Sequence, residues 1–364
     1  MKTSTDRILT THTGSLPRPE GFDRHDTAAL PAAVAGMVGR QLETGVDIVN
    51  DGEISKPSYA TYVTERLSGF GGEPVALAMR GFDAFSEFAQ RMWGEPGMAA
   101  VAANPSCNGP VAYVDRSKLD ADIANLKAAA DGAPEVFMSA ASPGVIDMFM
   151  PNRHYATTEE YIGALADAMK EEYDAIVQAG FVLQLDCPDL ACGWALGPEV
   201  TEAEFRRVVA QRLEAIDYAT RDIPADRIRL HLCWGNYEGP HHTDIPLNGI
   251  IDLVLAARPA AISFEAANPR HEHEWSLFAD VKLPDGKVLI PGVLDSTTNY
   301  IEHPELVAQR IVRYAEVVGR ERVIAGTDCG FATFAAVLPV DPKIAWAKLA
   351  ALAEGAALAT DRLW

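Results

Sequence analysis

Eight short β-rich runs recur along the 364-residue chain, each ending in polar residues. They constrain the fold more than any other feature. They are residues 7–15, 46–53, 135–142, 181–186, 228–233, 261–265, 288–295 and 323–329, with stretches of helical period between them, as at 159–179, 202–220, 304–318 and 344–359. Parallel neighbours need a crossover between them, so this alternation predicts a parallel sheet. Eight such units in one chain predict an α/β fold of the (β/α)8 barrel type, with residues 1–364 as one domain. A doubly wound open sheet is the alternative, but no Gly-rich dinucleotide fingerprint follows the first strand.

The spacing is uneven in one place. About eighty residues part the second and third strands, so 55–134 is expected to be an insertion. It should hold a helix after Lys56, an apolar Gly-rich stretch at 69–97, a strand at 108–114 and a helix near 118–130. Phe82, Phe85, Phe88 and Trp93 must bury their rings somewhere. The candidates are the barrel mouth, the barrel's own flank, or another subunit, the last of which would make a homo-oligomer through the insertion.

Lys plus Arg number 31 against 51 Asp plus Glu, a formal charge of −20 that argues against nucleic acid and anionic membrane as partners. No run approaches the roughly 18–20 apolar residues of a membrane span, and the first residues lack the apolar core of a signal peptide, so a cytoplasmic protein is expected. Five scattered cysteines, Cys107, Cys187, Cys192, Cys233 and Cys329, read as reduced thiols or metal ligands rather than a disulfide framework.

Barrels of this kind do their chemistry at the C-terminal ends of the strands. There the chain places Asp51-Gly52-Glu53, Asp186-Cys187-Pro188-Asp189, His231-Leu232-Cys233, Glu265, Asp295 and Asp328-Cys329-Gly330. His231 and Cys233 lie two apart on a strand, so both leave the same face. Zinc takes nitrogen and thiolate ligands in tetrahedral geometry, and a His-x-Cys pair supplies half of that set. Cys329 can reach the same centre across the barrel seam, and Glu265 can add an oxygen ligand from the adjacent strand. Any one of these residues alone is as readily a buried core residue. A carboxylate at Glu265, after an apolar run, is costly unless paired or metal-bound. The pairs His241-His242 and His271-x-His273 are rival ligands, read as solvated or rim residues.

These strand ends resemble the cobalamin-independent methionine synthase family over nearly the whole chain. The matching stretches are the Thr-Thr-His-Thr-Gly-Ser-Leu-Pro run that ends at Pro17, Asp51-Gly-Glu53, Gln184-Leu-Asp186, His231-Leu-Cys233, Phe264-Glu-Ala266, Pro291-Gly-Val-Leu-Asp295 and Asp328-Cys-Gly330. The resemblance implies a (β/α)8 barrel holding Zn2+ through His231, Cys233, Glu265 and Cys329, where a thiol is activated for alkylation. It further implies Asp295 and Glu265 as catalytic residues. Ser15, Glu53, Asp186, His12, Phe149 and Trp234 would be substrate-binding, with the Glu53 and Asp186 carboxylates on the amino group of homocysteine. The family's full-length members carry two barrels, and this chain has one. Phe149, six residues after Pro143, stands where the family has a Trp that stacks on a pteridine.

The segment from Cys233 to Asp244, with the run from Asp295 to His303, looks more like a single-barrel branch that includes the epoxyalkane:coenzyme M transferases. A sulfonate thiol would need an Arg near the mouth, and Arg18, Arg80, Arg91, Arg153 and Arg270 are the candidates. The leading expectation is a zinc-dependent thiol alkyltransferase with a small thiol substrate and an alkyl donor as partners. The alternatives are epoxide opening by a thiol, a zinc hydrolase or lyase using bound water, and a metal-free barrel that only binds.

Overall fold

In the computed structural model the eight expected strands pair into a ring. The structure describes residues 1–75, 80, 82–94, 104–197, 199–335 and 338–364. The strands, in chain order and with two more that lie outside the ring, are β1 (Leu9–Thr10), β2 (Ile48–Val49), β3 (Phe70–Val75), β4 (Asn104–Cys107), β5 (Glu135–Ala141), β6 (Val182–Asp186), β7 (Ile228–Leu232), β8 (Ala261–Phe264), β9 (Val288–Pro291) and β10 (Ile324–Ala325). β2, β5, β6, β7, β8 and β9 form one parallel sheet, and β1 pairs in parallel with β10. Single parallel bridges, Thr11 to Ile48 at one junction and Leu289 to Val323 and Gly292 to Gly326 at the other, close the circle.

The strands are buried on both faces, as a barrel wrapped in helices requires. Leu9, Ile48, Phe137, Val182, Ala261, Val288, Ile290 and Ile324 form a separate inner cluster drawn from seven of the eight barrel strands. The eighth, β7, sends Ile228, Leu230 and Leu232 to the outer core. Its alternate residues, Arg229 and His231, are polar and buried. Arg229 donates to Gln184 Oε1 at 2.7 Å, Thr11 Oγ1 at 3.0 Å and the His12 carbonyl at 2.7 Å, residues of β6, β1 and its continuation. Its guanidinium lies 3.5 Å from the Phe137 ring centroid, so it crosses the barrel interior. Burial lowers its pKa to about 9.

The outer helices begin where capping residues satisfy free N–H groups. Thr157 caps Thr158–Gln178, and Thr201 with Glu204 makes a capping box for Glu202–Ala219. Pro304–Val318 and Pro342–Leu363 pack together beside the β1–β10 seam. No described helix is long and apolar enough to cross a membrane.

Between β2 and β5 the structure departs from sequence expectation in detail. The segment after Lys56 forms only a short 3-10 helix, Thr61–Glu65, and the strand expected at 108–114 is absent. Gly109 and Pro110 interrupt that stretch; Pro lacks a ladder donor, and only Tyr113 makes a bridge, to Leu67. The pairing falls instead on β3 and β4, an antiparallel hairpin. The helix Ser117–Ala129 forms as expected and packs on Leu30–Thr44, in the outer ring. Phe82 is buried over the barrel's own mouth, whereas Phe85 stays 45% exposed, against the expectation that its ring is buried. Phe82 meets Tyr237 edge to face at 5.7 Å, and Phe85 meets His242 at 5.2 Å. The Trp93 side chain lies outside the described residues.

Candidate active site

At the C-terminal end of the barrel a pocket opens whose floor is polar and whose walls are apolar. Its floor carries Thr13, Ser15, Glu53, Asp186, His231, Cys233 and Cys329, all from strand ends. His231, Cys233 and Cys329 each offer one ligand atom, and the three atoms lie within 4.8 Å of one another. Cys233 Sγ is 3.1 Å from Cys329 Sγ, which is 3.6 Å from His231 Nε2. All five cysteines are free thiols.

The protonation states suit a metal ligand set. Burial lowers the His231 pKa to about 4, so the ring is neutral at pH 7 and a lone pair is available. The hydrogen bond from Cys329 lowers the Cys233 pKa against burial, and the Gly235 N–H adds to it at 3.2 Å. Burial holds the Cys329 thiol protonated.

Glu265 lies beside this trio rather than within it. Its Oε1 is 3.6 Å from Cys329 Sγ and accepts from the Trp234 N–H at 2.7 Å, while Oε2 accepts from Asn268 Nδ2 at 2.8 Å. Burial raises its pKa well above the usual range. Asp328 fastens the loop that follows, accepting from the N–H groups of Ala266, Ala267 and Asn268 at 2.7–2.8 Å.

Glu53 approaches the pocket through an unusual backbone. Gly52 and Glu53 both adopt left-handed conformations, at φ 67° and 56°, and the second is uncommon for a residue with a side chain. A Cβ on Gly14 would stand 2.4 Å from Glu53 Oε1, so glycine is required there. Ser139 Oγ donates to Glu53 Oε1 at 2.5 Å and accepts from Lys56 Nζ at 2.9 Å. Asp186 is fully enclosed; burial first and the Glu53 charge second raise its pKa to about 7.

The walls are aromatic and thioether: Tyr59, Phe149, Phe334, Tyr237, Met92 and Met148. Phe149 ends the helix Pro143–Phe149, which Ser142 caps by accepting from the Val145 N–H at 3.0 Å. Ser142 in turn donates to Asp189 at 2.9 Å. Met92 comes from Ser86–Gly94, so the insertion supplies part of the wall.

Four sequence-predicted residues are not among the described lining of this pocket: Glu265, which sits behind Cys329, and Trp234, His12 and Asp295. The Trp234 indole is wholly buried behind it, donating to the Ile245 carbonyl at 2.7 Å, because it follows the inward-facing Cys233 and points the opposite way. His12 contacts Gln41 Oε1 at 2.8 Å and the edge of Phe137, and burial lowers its pKa to about 3. Asp295 accepts from Thr297 and Thr298 hydroxyls at 2.8 and 2.7 Å and so organises its own loop.

His271, expected at a solvated rim, is buried. Its Nδ1 meets Glu274 at 2.9 Å and its Nε2 meets Asp244 at 3.2 Å, with Trp234 against the ring at 4.3 Å. Burial disfavours the imidazolium, but the two carboxylates outweigh it and raise the pKa to about 10. Sequence reading missed this network, as it missed Tyr59 and Phe334. Period-two spacing from His231 would have found Arg229.

Comparison with known proteins fits the geometry. Residues 145–343 match the family described as "Cobalamin-independent synthase, Catalytic domain". The chain belongs to the cobalamin-independent methionine synthase family. Among curated members, the methionine synthase of Saccharolobus solfataricus is 24% identical over 98% of this chain and 96% of its own length. That of Sulfolobus acidocaldarius is 24% identical over 98% and 93%. Among solved structures of the cobalamin-independent synthases, one from Shewanella sp. W3-18-1, in complex with selenomethionine, superposes with a TM-score of 0.75 at 18% identity, covering 98% of this chain and 99% of that one. A putative member from Listeria monocytogenes gives 0.65 at 16% identity, covering 100% and 99%. These two share the (β/α)8 fold.

Proposed function

We propose that this protein is a zinc-dependent thiol alkyltransferase whose thiol substrate resembles homocysteine. The observation that carries the reading is the convergence of His231, Cys233 and Cys329 on the floor of a pocket that also holds Glu53 and Asp186. A neutral imidazole and two thiols in tetrahedral reach are a nitrogen and sulfur donor set, which suits zinc and not a hard cation. Three protein ligands leave a fourth place, as in catalytic rather than structural sites. Zinc bound there would hold an incoming thiol as its thiolate at neutral pH, which a free thiol of pKa near 8.5 is not.

The chain's own residues supply the rest. Glu53 and Asp186 present carboxylate to an ammonium group, with Lys56 and Ser139 fixing the Glu53 rotamer. Glu265, held by Trp234 and Asn268 beside Cys329, is placed to occupy the fourth position and to give it up. The aromatic wall excludes water from the sulfur and orients the donor. A sulfonate thiol fits less well: none of Arg18, Arg80, Arg91, Arg153 and Arg270 is among the described lining residues. Arg18 instead donates to the backbone carbonyls of Glu53, Ile54 and Lys56. The names of the curated relatives, methionine synthases, support a methyl group as the portion transferred. Five free thiols suit a reducing, cytoplasmic setting.

Zinc-edge X-ray absorption tests the reading. Homocysteine should replace an oxygen neighbour by sulfur, taking the shell from two sulfurs to three, while methyltetrahydrofolate alone leaves it unchanged. A shell that no thiol alters, on a protein that hydrolyses substrates through an exchangeable water, would overturn it.

A further inference from the structure

The donor half of the pocket has a charge and a surface of its own. Tyr59, Phe149 and Phe334 line one side of the pocket and pack against one another, with centroids 5.9, 5.9 and 6.5 Å apart and interplanar angles of 87°, 58° and 53°. Tyr237, Met92 and Met148 complete the wall. The charged groups in the described lining, apart from the metal-ligand cluster, are two carboxylates, Glu53 and Asp186; no Lys or Arg is among them. Lys56 commits its ammonium to Ser139. Resting on the alkyltransferase reading, we infer that the alkyl donor is a methylated onium ion, a sulfonium or quaternary ammonium, seated against Tyr59, Phe149 and Phe334.

Two arguments point to that class. Aromatic faces attract cations, and methylated ammonium groups in particular, because the ring quadrupole presents its negative face. The described lining holds no Lys or Arg, so it offers an anionic donor no counter-charge. The chemistry agrees. The thiolate sulfur attacks a methyl carbon and forms an S–C bond, while the C–S or C–N bond to the onium centre breaks with its electron pair. The donor leaves as a neutral thioether or tertiary amine, and no proton moves. Opening an epoxide, or demethylating a neutral tertiary amine whose nitrogen would leave as an amide anion, would instead demand an acid at the leaving group.

The test uses zinc-loaded full-length protein with homocysteine present. Choline and its uncharged isostere 3,3-dimethylbutan-1-ol are titrated by calorimetry. Choline should bind about tenfold more tightly, and Tyr59→Leu and Phe334→Leu should shrink that ratio. Should either variant fail to fold, the wild-type ratio still decides. Trimethylsulfonium and tetramethylammonium then separate the two sources, read as deuterated methyl appearing on homocysteine by mass spectrometry. Equal affinity for the isosteres, or methyl transfer from methyltetrahydrofolate and from neither onium, overturns the donor assignment. The zinc-edge response to thiol would stand apart from that result, so failure here is distinguishable from failure of the alkyltransferase reading.

Discussion

Cys329 reaches the pocket from beyond β10, while His231 lies on β7 and Cys233 directly follows it, so the Cys329 thiol is the one ligand supplied from another part of the barrel. Cys329→Ser should therefore lose most bound zinc, measured by plasma mass spectrometry on protein purified without chelator. Cys107→Ser and Cys192→Ser should keep it, since neither sulfur is in the cluster. Stoichiometric zinc in Cys329→Ser would refute the ligand set. Glu53 and Asp186 carry a separate expectation. Glu53→Gln and Asp186→Asn keep size but remove charge, and each should weaken homocysteine binding by roughly 1.5–3 kcal/mol, the range for hydrogen bonds to charged groups. A thiol without an amine, such as propanethiol, should bind both variants as it binds the wild type. Calorimetry with the two thiols checks this, and equal losses for both would assign the carboxylates to structure instead.

Among the elements, the loops after β7 and β8 are tied together by Asp244, His271 and Glu274, and this network stands directly behind Trp234 and Glu265. His271 holds a folded-state pKa of about 10 against an ordinary 6.5, a raised value. Its contribution to stability is thus fully present below pH 6.5 and is lost as pH rises through 10. His271→Asn takes the charged partner from buried Glu274, while Asp244 keeps His241 at 2.7 Å, and should destabilise by about 3 kcal/mol at pH 7. Denaturant midpoints at pH 7 and pH 10 should show the gap to wild type narrowing with pH; a constant gap would mean the ring acts by packing alone. The same element shows where sequence reading ends. The barrel strands were legible because apolar runs such as Val288 to Pro291 are buried on both faces and need no partner to be recognised. The cluster at their ends was legible because period two puts His231 and Cys233 on one face. His271 sits in a polar stretch, and only the packing of two distant loops buries it. The turn of Phe82 over the mouth likewise depends on Tyr237, more than 150 residues away.

At the scale of the molecule, the metal would join two parts of the barrel, one of which is built from short strands backed by the helices Pro304–Val318 and Pro342–Leu363. β1, β2 and β10 are two residues each, and the β1–β10 pair meets its neighbours through one isolated bridge on the β2 side and two on the β9 side. Cys329 follows β10 within that thin arc, and His231 and Cys233 belong to the long central sheet. Binding that favours only the closed ring stabilises by mass action, about 4 kcal/mol when free metal exceeds its Kd a thousandfold. For 364 residues the unfolding entropy is about 0.8 kcal/mol/K, so zinc should raise Tm by about 5 °C. Calorimetric scans of metal-free and zinc-loaded protein measure the shift. Cys329→Ser should abolish it without lowering the metal-free Tm by a comparable amount. Hydrogen exchange should place the gained protection in residues 8–16 and 323–331, where the thin arc lies, more than in β6 and β7. Uniform protection across all eight strands would show that the metal stabilises the barrel as one unit and that the arc is no weaker than the rest.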